Sequence, residues 1–311
     1  IRTNADYDAA ASLVTIEEWS LAIPVLKSFI QQHPKHKLRK GADENPALAY
    51  EKTGNWASAA SAYEVLYKNE TDNTKKRLIL WQAAEYYTKA KRTDDTIKIY
   101  KQYIKSYPLP FDEAIEARFL MATIYENKGD KKSRHYWLKK IIEADKTGIS
   151  TDRSKYLAAT AVLELSRPTY TAYRKVKLVQ PLKKNLKKKK ELMKESIEAY
   201  TQASNYGIES VTTASTYRIA EIYNDFSRSL FASERPKGLS PDELEQYYIL
   251  LEEQAYPFEE KAIGVHEVNA LRASTGVYDR WVKESFAALA NLNPVRYGKT
   301  EKGESLINVI D

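Results

Sequence analysis

The chain contains no cysteine. That excludes disulfide staples, thiolate metal sites and cysteine nucleophiles, and leaves its compartment open. Glycine (10) and proline (11) are scarce in 311 residues, together about 7% against an average near 12%, so few breakers interrupt a helix. No apolar run approaches the ~18 residues of a membrane span, and no signal-type apolar segment follows Ile1. These absences lead us to expect soluble material, either processed or excised from a longer protein. Chemistry-bearing motifs are also missing. His33 and His36 flank Pro34 without an acidic or histidine partner nearby in sequence, and His135 is isolated. His266 and Glu267 open a HEVNA segment that lacks the second histidine of a zinc-protease helix. The triplet Gly298, Lys299, Thr300 has no preceding loop glycine, so no phosphate loop is present. The expectation is a chain without catalysis, cofactor or metal.

What is present is charge, at 29% of residues, and apolar residues, at 43%. The net charge of +7 is concentrated in one place. Residues 173 to 195 hold ten bases against two acids, so the rest of the chain is close to neutral. Residues 239 to 260 carry seven acids and no base. Aromatics and bases are not interleaved in the basic stretch, where Tyr173 stands alone. The stacking platforms of single-strand nucleic-acid binders are therefore absent from it.

Self-similarity organises the first half. Leu13, Tyr50, Tyr87 and Tyr125 recur about 37 residues apart, and Ala10, Ala47, Ala84 and Ala122 stand three residues before them. A second set, Ala22, Ala59 and Thr96, is followed four residues later by Leu26, Tyr63 and Tyr100, with Leu138 at the same place in unit four. A small side chain lets two helices approach, and a large one a turn away fills the wedge to the next pair. Gly54 takes the turn, and Pro34 and Pro108 close units one and three. Arg134 departs from the pattern where unit four needs a small residue. This spacing resembles the tetratricopeptide repeat. The fold expected is all-α, a tetratricopeptide-like α-solenoid of antiparallel helix pairs, four of them within residues 1–148.

From residue 149 the period lengthens, and residues 149–311 read as two long helical hairpins plus a C-terminal capping helix, continuous with the solenoid. The expected helices are 152–179, 182–206 with Leu182, Leu186, Met193, Ile197 and Tyr200 on one stripe, 209–233, and 241 to about 274 with a kink near Pro257. Ser240, Pro241 and Glu243 form a capping-box start, and the last helix carries Trp281, Phe286 and Leu289. Residues 211–223 and 255–269 resemble large repeat proteins of the Gram-negative bacterial envelope, which implies a periplasmic or envelope-associated location, with the cytoplasm not excluded.

The repeat resemblance implies a function: a non-enzymatic scaffold for protein or peptide partners within an envelope assembly. In that family the first helices line a concave groove. Its ligand positions fall here on Tyr7 and Ala11, Glu44 and Leu48, Trp81 and Glu85, Phe119 and Thr123. The family's carboxylate clamp needs lysine, arginine and asparagine at such places, and none is there. An aromatic row with interspersed acids favours a peptide with apolar anchors and basic flanks. The alternative is a basic helical module docking on anionic lipid or nucleic acid through Arg174, Lys175, Lys177, Lys183, Lys184 and Lys187, Lys188, Lys189, Lys190. Four consecutive lysines sweep every side of a helix, so this tip is expected to project unburied, beside the 231–245 turn and facing Asp242, Glu243 and Glu245.

Overall fold

A computed structural model of the chain describes residues 2–33 and 39–298, with side chains from 7 to 33 and from 44 to 298. Pro34, His36, Lys299 and Thr300 lie outside the described residues. All regular structure among the described residues is helical. The chain divides into two compact units, Ile1–Lys140 and Ile141–Asp311.

The first unit holds α1 (Arg2–Thr15), α2 (Trp19–Gln32), α3 (Arg39–Lys52), α4 (Trp56–Asn69), α5 (Asn73–Lys89), α6 (Thr93–Ser106), α7 (Phe111–Asn127) and the start of α8 (Lys131–Thr147). Each helix from α1 to α6 packs on the next in the chain, the contact order of stacked antiparallel pairs. The repeated small positions are where the helices meet. Ala10, Ala47, Ala84 and Ala122 are buried on the first helices, and Ala22, Ala59 and Thr96 on the second. Leu26, Tyr50, Tyr87, Tyr100 and Leu138 are buried at the large positions, each stabilising the stack by about 1.5–3 kcal/mol. Arg134, the departure from the pattern, is half-buried and meets Glu126 at 3.2 Å.

The turn inside each pair is made at one recurring position. Glu17 (φ 60°), Gly54 (70°), Lys91 (56°) and Gly129 (70°) all take the left-handed conformation there. The helices that follow start with local caps: Asn55 accepts from Ser58 N at 3.3 Å and Asp130 from Ser133 N at 3.0 Å. Asp72 does the same for α5, accepting from Lys75 N at 2.8 Å.

The second unit contains the end of α8, then α9 (Asp152–Lys175), α10 (Leu182–Ser204), α11 (Glu209–Phe231), α12 (Pro241–Leu271), a 3-10 turn (Arg272–Thr275), α13 (Arg280–Leu292) and the short α14 (Pro294–Tyr297). Tyr173, Leu178, Tyr200, Ile222, Phe226, Leu230 and Ala255 form one buried cluster in it. Ser240 accepts from Glu243 N at 3.3 Å while the Glu243 carboxylate accepts from Ser240 N at 2.8 Å, the expected capping box. These bonds hold the Glu243 carboxyl below its ordinary value. Thr151 and Ser154 form a second such box at α9, unexpected because serine replaces the usual glutamate. α12 runs unbroken through Pro257.

α9 stops at Lys175, short of the expected 179. The carbonyls beyond the helix end are taken by donors on α10 and on the segment after α11. Val176 O accepts from Lys189 Nζ at 3.2 Å, Leu178 O from Glu234 N at 2.8 Å, and Val179 O from Asn185 Nδ2 at 2.8 Å. Tertiary donors thus replace the bonds that another turn of helix would have made.

Candidate functional site

The predicted groove positions fall on α1, α3, α5 and α7. Tyr7 is half-buried with its ring 5.4 Å from Phe29, Glu44 is exposed, and Leu48 is 37% exposed. Ala11, Phe119 and Thr123 are half-buried, and Thr123 Oγ1 donates to Phe119 O at 3.1 Å, one turn back on α7. Trp81 is half-buried as well. Its indole N–H donates to Glu85 Oε1 at 3.0 Å, and its ring lies edge-on to Tyr100 and Tyr103 at 5.7 and 5.1 Å. Glu85 also accepts from Gln82 at 3.2 Å. The indole is therefore fixed by its own helix and by α6 while keeping part of its surface open.

A neighbouring network was missed in the sequence. Glu113 on α7 pairs with Arg77 on α5 and accepts from the Tyr103 hydroxyl of α6 at 2.5 Å. Arg77, Trp81 and Glu85 step along α5 four residues at a time, so Arg77 continues the row that Trp81 heads. That phase was the available signal. Burial raises the Tyr103 hydroxyl above its ordinary value, and the Arg77 charge opposes the shift.

The basic segment departs from expectation at its centre. Lys189 is 1% exposed, although it belongs to the four lysines expected to project. Its ammonium donates to Asp225 Oδ2 at 3.0 Å and Val176 O at 3.2 Å, and lies 4.3 Å from the centre of the Tyr173 ring. The reason is phase. Lys189 falls between Leu186 and Met193 on the apolar stripe of α10, so the helix that buries them buries it. A buried ammonium is tolerated because a carboxylate, a carbonyl and an aromatic face surround it. Tyr173 itself donates to Ile222 O at 2.9 Å, and burial together with Asp225 pushes its hydroxyl far up.

Lys183, Lys184, Lys187, Lys188 and Lys190 are exposed, as are Arg174, Lys175 and Lys177. The segment does touch the 231–245 turn, where Gln180 N donates to Glu234 Oε2 at 2.7 Å. The facing acids are different from those expected. Asp225 takes Lys189 and, at 4.0 Å, Arg174, and no ion pair joins Asp242, Glu243 or Glu245 to these lysines among the described residues.

His266 is fully buried on α12. Ser285 Oγ lies 3.3 Å from its Nδ1 and Glu221 Oε1 lies 3.5 Å from its Nε2. Asn269 Nδ2 donates to Ser285 Oγ at 2.9 Å and to the Thr213 and Trp281 carbonyls. With the proton on Nε2 the chain is consistent: Asn269 donates to Ser285, Ser285 to Nδ1, and the Nε2 proton faces Glu221. The His266 contact keeps the Glu221 carboxyl below its ordinary value against the opposing effect of burial. Serine, histidine and glutamate are the residue types of a hydrolytic triad, but Ser285 is wholly enclosed and offers a substrate no approach. A cavity of about 460 Å³ borders Glu221, Glu259, Glu284 and Tyr217, not Ser285. The sequence hid this cluster because its members are spread from 221 to 285. Among the described residues no three histidine or acidic side chains gather as a metal site, and no helix is long and apolar enough to cross a membrane.

Comparison with known proteins agrees with the first-unit geometry at one repeat. Residues 79–109, which span most of α5 and all of α6, match the tetratricopeptide repeat family. No curated protein sequence matches significantly. Among solved structures, a tetratricopeptide repeat protein from Parabacteroides merdae is 16% identical, with 91% of this chain and 96% of that one covered and a TM-score of 0.35. A TPR repeat protein from Bacteroides fragilis is 11% identical over 94% and 98%, also at 0.35. The C-terminal part of a TPR repeat-containing protein from Cytophaga hutchinsonii is 12% identical over 94% and 97%, at 0.37. Scores this low carry no inference about function.

Proposed function

We propose that the chain is a non-enzymatic scaffold that holds a peptide or protein partner along α1, α3, α5 and α7 of its first unit. Trp81 carries the reading. Its indole is held by Glu85, Tyr100 and Tyr103 before any partner arrives and keeps open surface, so ordering it on binding costs little. The repeat match supports the choice of helix, since it covers the one bearing Trp81. Glu44 and Glu85 favour basic residues beside the partner's apolar anchors. The resemblance of residues 211–223 and 255–269 leads us to propose the bacterial envelope as the place of this work, which fractionation of the source cells would test.

Selection of a displayed peptide library against the full chain tests the groove. The expected ligands carry an aromatic or aliphatic anchor with lysine or arginine nearby, and perturb the Trp81 indole resonance. Trp81→Ala and Phe119→Ala should each weaken them by about 1–4 kcal/mol while helicity is retained. Ligands that bind both variants as well as the wild type would refute the site.

A further inference from the structure

We infer that the second unit binds a second copy of this chain, the lysine stripe of α10 in one copy lying along the acidic outer face of α12 in the other. Lys183, Lys187, Lys190 and Lys194 are all exposed and follow one another at steps of four, three and four residues. On a helix that rhythm draws a single line about 16 Å long. Glu245, Ile249, Glu252 and Tyr256 are exposed on α12 at the same steps, so the second line has the same length and pitch. The buried residues of α12, Leu251, Ala255 and Ala262, lie on a different face.

Among the described residues neither stripe meets an opposite charge from another helix of its own molecule. Lys187 and Lys194 reach Glu191 and Glu198 only at 4.0 and 3.8 Å, exposed pairs of little worth. Residues 239–260 contain no base at all. The acidic line also shows Ile249 and Tyr256 to solvent, at 53% and 59% exposure. An occupant of this face must supply positive charge to Glu245 and Glu252, two turns apart, with alkyl stems to cover the two side chains between and beyond them. Lysine does both, since its stem lies on apolar surface while its ammonium reaches a carboxylate or an aromatic face. An occupant of the α10 stripe must offer carboxylates to some of its lysines and apolar or aromatic surface to the others. One molecule meets both requirements, and it is this chain.

Sedimentation of the full chain at about 50 mM and about 500 mM salt tests the inference, because screening falls on exposed charge pairs. The wild type should associate at low salt and dissociate at high salt. K183E/K187E/K190E/K194E and E245K/E252K should each weaken self-association by about tenfold or more, with helicity checked by circular dichroism. Versions carrying glutamine at the same sites guard against local unfolding by reversed charge and should lose association too. Mixing the two charge-reversed proteins should restore a mixed assembly, since each then offers what the other lacks. A wild type that stays monomeric at low salt overturns the inference. So does association that survives either reversal, or a mixture that stays monomeric.

Discussion

At Lys91 the chain turns through φ 56°, where an L side chain crowds its own backbone. Gly129 makes the same turn in the next pair without that cost. Left-handed strain of about 1–2 kcal/mol, less the extra chain entropy a glycine loses on folding, predicts that Lys91→Gly stabilises by about 0.5–1 kcal/mol. Gly129→Ala should lose about 1 kcal/mol, both read from urea midpoints. Lys189 supports a contrast of another kind. Lys189→Met keeps the stem but removes a buried ammonium from Asp225 and Val176 O. Because Asp225 is partly open to water, the loss should be about 2–3 kcal/mol, below the range for fully enclosed pairs. Lys188→Met, one residue earlier and exposed, should change stability by no more than about 0.5 kcal/mol. Equal effects at the two sites would contradict the burial of Lys189. The distinction was legible in the sequence as a gap in the stripe between Leu186 and Met193. The run of four lysines obscured it, because composition there speaks for exposure while phase speaks for burial.

Helix phase was readable wherever one helix supplied both halves of the signal, as at Ala84 with Tyr87 or Ser240 with Glu243. It failed where the deciding partner lies on another element. α9 ends early where α10 and the 232–236 loop take the carbonyls of Val176, Leu178 and Val179, and no short window of sequence around Val176 contains Lys189 or Glu234. The contact between α11 and α12 through Glu221 and His266 is of the same kind. Because the folded-state carboxyl of Glu221 titrates below its unfolded value, the unfolded chain takes up the proton first as pH falls. The stabilisation is complete above the ordinary carboxylate value and is lost as pH drops through the folded one. Glu221→Gln should therefore cost about 1 kcal/mol at neutral pH. The gap to wild type should close under acid, in urea melts from pH 7 to pH 3. A gap that stayed constant over that range would show that charge at Glu221 plays no part.

On the scale of the whole chain, the change of period after residue 148 was visible as a loss of the 37-residue step, yet the compact units divide at 140 and 141, inside α8. Periodicity registers where a pattern ends, whereas compactness registers which side chains meet. Ile141 is fully buried, and the Asp145 carboxylate accepts from Ser150 Oγ at 2.8 Å and from Ser154 Oγ at 2.5 Å. Ser154 is one half of the box that starts α9. The last turns of α8 thus brace the first turn of the next helix. A fragment of residues 149–311 begins where the pattern changes but lacks both Ile141 and Asp145. A fragment of residues 131–311 keeps α8 whole. The shorter fragment should be less stable by about 3–4 kcal/mol, of which about 2–3 comes from burying Ile141 and about 1 from the serine bonds to Asp145. Placing Ile141→Ala and Asp145→Asn together in the longer fragment should reproduce most of the difference, which separates these two side chains from a general benefit of added helix. Chemical denaturation of the three proteins, followed by circular dichroism, measures it. If residues 131–311 and 149–311 unfold at the same denaturant concentration, α8 contributes nothing to the second unit, and the boundary set by periodicity is the physical one.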